Sequence, residues 1–146
     1  MENCNAAPYD ALKLENQLCF PLYAASRVVI KQYRSYLDEL NLTYTQYIAM
    51  MVLWEQQSIS VKELGQRLFL DSGTLTPVLK SLEAKGCLVR RRCAEDERVL
   101  MVELTEEGDK LKERAVSVPQ KMAGCIPLEP NEALQLYQLL YKIMRD

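Results

Sequence analysis

Apolar residues recur at helical spacing through most of the chain. Leu14, Leu18, Leu22, Val29, Ile30, Tyr33 and Leu37 mark a first long helix that the spacing carries to Asn41. Thr43, with Gln46 three residues on, has the form of a capping box and predicts a second helix through Ile48, Met51, Val52 and Trp54. Ser60 and Glu63 repeat the box before "VKELGQRL", a short third helix. After the turn "FLD", Ser72 is expected as N-cap of "GTLTPVLKSLEAK", which Gly86 closes. The period then changes. "CLVRRR" and "VLMVEL" read as strands joined by "CAEDER" into a hairpin. Thr105 caps a helix through "EEGDKLKERAVSVPQKMAG", interrupted near Pro119, and Pro130 opens a last helix carrying Leu134, Leu136, Tyr137, Leu140, Tyr141 and Met144.

This order predicts a mainly α fold with a small β-hairpin wing, a winged helix-turn-helix. The whole chain, 1–146, reads as a single domain. Residues 12–42 and 105–146 are expected to be dimerisation helices, and 43–104 a DNA-reading head with its wing near 87–104. The terminal helices cannot hide their apolar faces against so small a head, so a two-fold homodimer is expected.

Composition narrows the chemistry. There is no histidine among the 146 residues, which removes the commonest general base, the Ser-His and Cys-His pairs and every histidine-containing metal site. A four-thiolate zinc site needs close cysteine pairs, and Cys87 with Cys93 is a poor match. Enzymatic activity is disfavoured, and neither metal nor organic cofactor is expected. The start "MENCNAAPYDA" lacks a signal-peptide pattern and no apolar run spans a membrane, so a cytoplasmic protein with reduced cysteines is expected. With a net charge of -2, any basic surface for nucleic acid must be local.

Two local features supply it. On the helix from Ser72 to Lys85, Leu75, Val78, Leu79 and Leu82 form an inward stripe, leaving Thr74, Thr76, Pro77, Lys80 and Ser81 outside. With Asp71 and Ser72 at the helix start, the first four of these are the candidate contacts to a major groove. The second feature is the tip "RRRCAEDER", which gathers Arg90, Arg91, Arg92 and Arg98. Asp96, two residues before Arg98, is placed to hold that guanidinium extended for a narrow minor groove. Either feature alone reads as a solvated polar face; together they point to double-stranded DNA.

The motifs "SVKELGQRL", "DSGTLTPVLKSLEAKG", "RRRCAEDER" and "LTEEGDKL" resemble the MarR family of transcriptional regulators, from about Leu14 to the C-terminus. That resemblance implies a homodimer on a pseudo-palindromic operator, usually as a repressor. Within the family, "LENQLCF", "NLTYTQYIAMMVLWE" and "LDSGTLTP" are similar to the organic-hydroperoxide-sensing, OhrR-type branch. The branch implies that Cys19 is the redox sensor and that the hydroxyls of Tyr33 and Tyr44 reach it across the dimer. It also implies that Cys125 resolves the oxidised thiol as a disulfide, with organic hydroperoxide as the oxidant. Physically, a phenol can donate to a thiolate and hold it ready, and a helix start adds a favourable partial charge.

Pro21, two residues after Cys19, requires the first helix to kink or to begin late. The plain alternative makes Cys19 a small hydrophobe at that kink and the tyrosines core residues. Two other functions stay open. One is a regulator released by a small aromatic ligand, with Cys19 structural; the other is a thiol peroxidase, which the lack of an arginine beside Cys19 disfavours. Cys4 is expected in a disordered tail, Cys87 in the core, and Cys93 at the wing tip, where Arg92 could make its thiol reactive.

Overall fold

The computed structural model describes residues 7–145 and divides the chain into two compact units, one up to Val116 and one from Ser117 on. Cys4 lies outside the described residues. The boundary falls inside the stretch expected to form one interrupted helix.

In the first unit, two short 3-10 turns (Asp10–Leu12 and Leu14–Asn16) precede α1 (Cys19–Asp38). The first long helix therefore begins later than the apolar spacing predicts, and Pro21 supplies the reason. As the third helical residue it falls in the opening turn, where backbone N–H groups have no intrahelical acceptor, so its missing N–H breaks no bond. Of the two outcomes Pro21 allows, late initiation is the one found. Helix α2 (Tyr44–Gln56) carries the expected capping box. Gln46 N donates to Thr43 Oγ1 at 3.3 Å and Thr43 N donates to Gln46 Oε1 at 3.0 Å.

Helix α3 (Val61–Leu68) starts with the second box, between Ser60 and Glu63. It ends on Phe69 in a left-handed conformation at φ 54. The chain there turns so tightly that a Cβ on Gly65 would stand 2.8 Å from the Leu70 carbonyl oxygen. Helix α4 (Ser72–Ala84) comes next, but its N-cap is Asp71 rather than Ser72: Asp71 Oδ1 accepts from Thr74 N at 2.7 Å. A carboxylate is the stronger acceptor and also complements the helix dipole.

Strands β2 (Leu88–Arg92) and β3 (Leu100–Leu104) form the expected hairpin, with Arg90 opposite Val102. A third strand, β1 (Ser58–Ser60), pairs with β3 through Ile59 and Val102, giving the antiparallel order β1-β3-β2. The fully buried residues Leu37, Met50, Leu53, Leu64, Leu75, Leu79, Leu82, Leu88 and Val102 come from α1 to α4 and the sheet, so α1 and α4 share one core. Val78, expected in the inward stripe, is only half-buried, and Ser81, expected outside, is half-buried too because Gln46 of α2 donates to its hydroxyl. Helix α5 (Glu106–Ala115) is capped by Thr105, as expected.

The second unit holds α6 (Val118–Ala123) and α7 (Pro130–Met144). Pro119 sits in the first turn of α6, where it starts a new helix instead of interrupting an old one. On α7, Leu134, Tyr137, Leu139 and Ile143 are exposed, and on α1 so are Phe20, Tyr23, Val28 and Ile30.

Candidate functional site

The outward positions of α4 differ in what they leave free. Thr74, Pro77 and Lys80 are exposed. Thr76 is half-buried, and its hydroxyl donates back to the Ser72 carbonyl at 2.7 Å, leaving only oxygen lone pairs for a partner. Pro77 lies inside the helix and removes the bond to Gly73, which bares polar backbone near the helix start. Asp71 is occupied as the cap. Hydrogen bonds from the Thr74 backbone N–H and then from its hydroxyl hold the Asp71 carboxyl below the usual carboxylate range.

Across the wing, the arginines separate into three kinds. Arg98 points outward, 92% exposed in its side chain, and Asp96 holds it: Asp96 Oδ1 accepts from Arg98 N at 3.0 Å and from Nε at 3.2 Å. Cys93 N bonds the Val99 carbonyl at 2.8 Å, so the tip is a closed, ordered loop around that pair. Arg92 is exposed at the end of β2. Arg90 is spoken for. Glu83 of α4 accepts from its backbone N at 2.9 Å, from Nε at 3.0 Å and from Nη2 at 2.9 Å. That guanidinium joins the reading helix to the wing instead of standing open to a ligand. Arg91 reaches Glu103 on β3 at 3.6 Å.

The wing is tied equally firmly to the start of α5. Thr105 Oγ1 donates to the Gly86 carbonyl at 2.6 Å and accepts from Gly108 N at 3.0 Å. Trp54 Nε1 on α2 donates to the Gly108 carbonyl at 2.8 Å. A Cβ at Gly108 would stand 2.0 Å from the Cys87 carbonyl oxygen, so this joint accepts only glycine.

Cys19 is the first residue of α1 and is exposed, and no side chain caps that helix start. The N–H groups of the opening turn therefore remain available beside the thiol. Tyr33 and Tyr44 lie together, with ring centroids 5.0 Å apart, and Tyr47 joins them at 5.9 and 6.4 Å. Burial pushes the Tyr33 hydroxyl above its ordinary value. At Tyr44 burial acts first and the neighbouring Tyr33 adds to it, so both phenols keep their protons and remain donors at neutral pH. Cys125 lies just beyond α6, half-buried, with its thiol donating to the Lys121 carbonyl at 3.4 Å. Cys87 is in the core, where burial pushes its thiol up, and Cys93 is half-buried at the wing. Among the described residues no group of three or more acidic, cysteine or histidine residues could hold a metal, and no helix is long and apolar enough to cross a membrane.

The family profile of the transcriptional regulators SarA/Rot matches residues 31–115, more than half of the chain. An organic hydroperoxide resistance transcriptional regulator of Bacillus subtilis (strain 168) is 48% identical over 136 residues, covering 93% of this chain and 92% of that one. Among solved structures, reduced AbfR bound to DNA is similar with a TM-score of 0.74 and 33% identity, covering 92% of this chain and 96% of the other. The disulfide-formed state of AbfR, a Staphylococcus epidermidis protein, matches at 0.64 with 34% identity, covering 93% and 96%. The Bacillus subtilis relative is a transcriptional regulator, and AbfR is seen bound to DNA. With its three-helix reading head and sheet wing, this chain belongs to the SarA/Rot transcriptional regulators, within the MarR-type winged helix-turn-helix proteins and their organic hydroperoxide resistance branch.

Proposed function

We propose that the chain is a peroxide-sensing repressor that acts as a homodimer on a pseudo-palindromic DNA operator. The observation that carries this reading is the presence, in one chain, of a held outward arginine at the wing and an exposed thiol at the uncapped start of α1. Thr74, Thr76, Pro77 and Lys80, with Ser72 at the helix start, face the major groove, and Arg98 and Arg92 enter the flanking minor groove. Asp71 and Asp96 act by positioning, and Arg90 sets the wing against α4.

The thiolate of Cys19 attacks the distal oxygen of an organic hydroperoxide. The O–O bond breaks, sulfur takes the oxygen as sulfenic acid, and the alkoxide leaves as an alcohol after gaining a proton. Tyr33 and Tyr44 donate to the thiolate from the partner chain. Within one chain they cannot, because Cys19 and Tyr33 stand about 21 Å apart along α1 at ~1.5 Å per residue. Cys125 then condenses with the sulfenic acid, forming a disulfide and releasing water. The altered dimer moves the two reading heads off their spacing and the operator is released. The deciding experiment is operator binding by the reduced protein, titrated with cumene hydroperoxide and then with dithiothreitol. Release and then recovery is the expected course, and affinity that ignores the oxidant overturns the reading.

One observation favours a second reading, release by a small aromatic acid. An open cavity of about 790 Å³ is lined by Arg27, Lys31 and Arg34 of α1 together with Val28, Leu42 and Tyr44. Its cations suit a carboxylate and its apolar wall suits a ring. Operator release by salicylate from a Cys19→Ser protein would favour that function.

A further inference from the structure

Gln46 is the one polar residue buried among the described residues, and its side chain does more than cap a helix. The capping box uses Oε1, which accepts from Thr43 N at 3.0 Å. The same oxygen also accepts from Lys85 Nζ at 2.9 Å, and Nε2 donates to Ser81 Oγ at 2.9 Å. Ser81 is in the last turns of α4 and Lys85 is its C-cap; Lys85 Nζ donates in addition to the Asn41 carbonyl. The turn from α1 into α2 is thus fastened to the far end of the reading helix by one amide and one ammonium.

A carboxylate three residues after the N-cap would serve the box and accept from Lys85, but would offer no donor to Ser81 Oγ. The amide supplies a donor as well as an acceptor: the donor is spent on Ser81 of α4, and the acceptor is shared between the box and Lys85. In a low-dielectric core such a group is costly unless fully paired, so the pairs fix one geometry sharply. Tyr44 is the first residue of α2, between Thr43 and Gln46 in the chain, so it lies inside the box. Backbone displacement at Tyr44 therefore moves both partners of the box, and Gln46 passes the movement to Ser81.

We propose that Gln46 is the positioning residue that links Tyr44 to the reading helix, carrying the redox state of the thiol site into the orientation of α4. The inference rests on the peroxide-sensing function proposed above. It makes Gln46 part of the coupling between two sites, which is measured as a ratio of affinities and not as an affinity.

The test compares operator dissociation constants before and after oxidation by one equivalent of cumene hydroperoxide per Cys19, in wild type, Gln46→Met and Ser81→Ala. In wild type the oxidised-to-reduced ratio should be about tenfold or more. In Gln46→Met, which keeps the volume and loses the pairs, the ratio should fall toward one while the rate of Cys19 oxidation is unchanged. Ser81→Ala, which removes a single hydroxyl, should reduce the ratio by about threefold and carries the test if the methionine variant fails to fold. Variants that keep the full wild-type ratio overturn the inference, including the case where both redox states lose affinity equally, which is what a purely structural role gives. A wild type whose affinity ignores oxidation overturns the underlying function instead, and that result is separable because it needs no variant.

Discussion

Cys19 and Tyr33 lie on the same helix yet about 21 Å apart, at the two ends of a stretch of α1 rising ~1.5 Å per residue. A thiol and a phenol so placed can meet only when a second copy of α1 brings one to the other. Mixed dimers test this directly. Cys19→Ser alone should bind operator and ignore hydroperoxide, and Tyr44→Phe alone should oxidise roughly tenfold more slowly for want of one donor to the thiolate. In a heterodimer of the two, the intact cysteine of one subunit faces the intact tyrosines of the other. Mixing should therefore restore a fast phase of sulfenic acid formation, read by a dimedone-type probe. A mixture that oxidises as slowly as Tyr44→Phe places the phenols in the wrong subunit.

The wing makes a separate prediction, because Asp96 holds Arg98 through both its backbone N and its Nε. Arg98→Ala should weaken operator binding and reduce the slope of log affinity against log salt by about one unit. Asp96→Ala should copy much of the affinity loss with less change in slope, since the charge remains and only its aim is lost. Fluorescence anisotropy at several salt concentrations checks both. An unchanged slope in Arg98→Ala would take the guanidinium away from the DNA phosphates.

Glu83 and Arg90 predict a pH effect. The Arg90 backbone N–H and guanidinium hold the Glu83 carboxyl below its ordinary value of 4.5. A depressed carboxylate contributes stability that is complete above the ordinary value and is lost as pH falls through the depressed one. As pH falls below the ordinary carboxylate value of 4.5, wild type should therefore lose thermal stability more steeply than Glu83→Gln. Equal slopes in the two proteins would show that the pair contributes nothing to the fold.

Gly108→Ala should be among the most damaging single changes in the chain. The added carbon would stand 2.0 Å from the Cys87 carbonyl oxygen and 2.9 Å from Leu104 Cδ1. Relief requires α5 to move away from the wing, which also breaks the Trp54 bond to the Gly108 carbonyl. A loss of roughly 3 kcal/mol or more in urea unfolding is expected, with Trp54 fluorescence as the probe. A loss below about 1 kcal/mol would mean the joint is pliable.

How far the sequence reaches depends on the range of each interaction. Both capping boxes are legible in it because Thr43 with Gln46 and Ser60 with Glu63 are three residues apart, and so is the Asp96–Arg98 pair, two residues apart. The start of α1 is not, because Leu14 and Leu18 continue the helical spacing while the chain there forms 3-10 turns, and only Pro21 warns of it. Strand β1 escapes notice because "SIS" is too short to show alternation and shares Ser60 with a helix cap. Arg90 looks like its neighbours Arg91 and Arg92 until the fold brings Glu83 against it. The same holds for Gln46, whose box is visible but whose bond to Ser81 crosses from one helix to another.

The fate of the oxidised thiol gives the last prediction. At rest the Cys125 thiol donates to the Lys121 carbonyl, one turn back in the chain, at 3.4 Å. To resolve a sulfenic acid at Cys19 it must leave that acceptor, give up the proton and approach until the two Cα atoms are within about 7 Å. Condensation then expels water and joins two chains covalently. Oxidised wild type should run as a reducible dimer on a non-reducing gel, and Cys125→Ser as a monomer that still forms the sulfenic acid. Lacking a resolving partner, that variant should pass to sulfinic and sulfonic acids as peroxide rises, visible by mass spectrometry as added oxygens on the Cys19 peptide. Dithiothreitol should then fail to restore its reduced mass, whereas wild type recovers fully. A covalent dimer in Cys125→Ser would assign the resolving thiol to another cysteine, and Cys93, half-buried at the wing tip, would be tested next by the same gel.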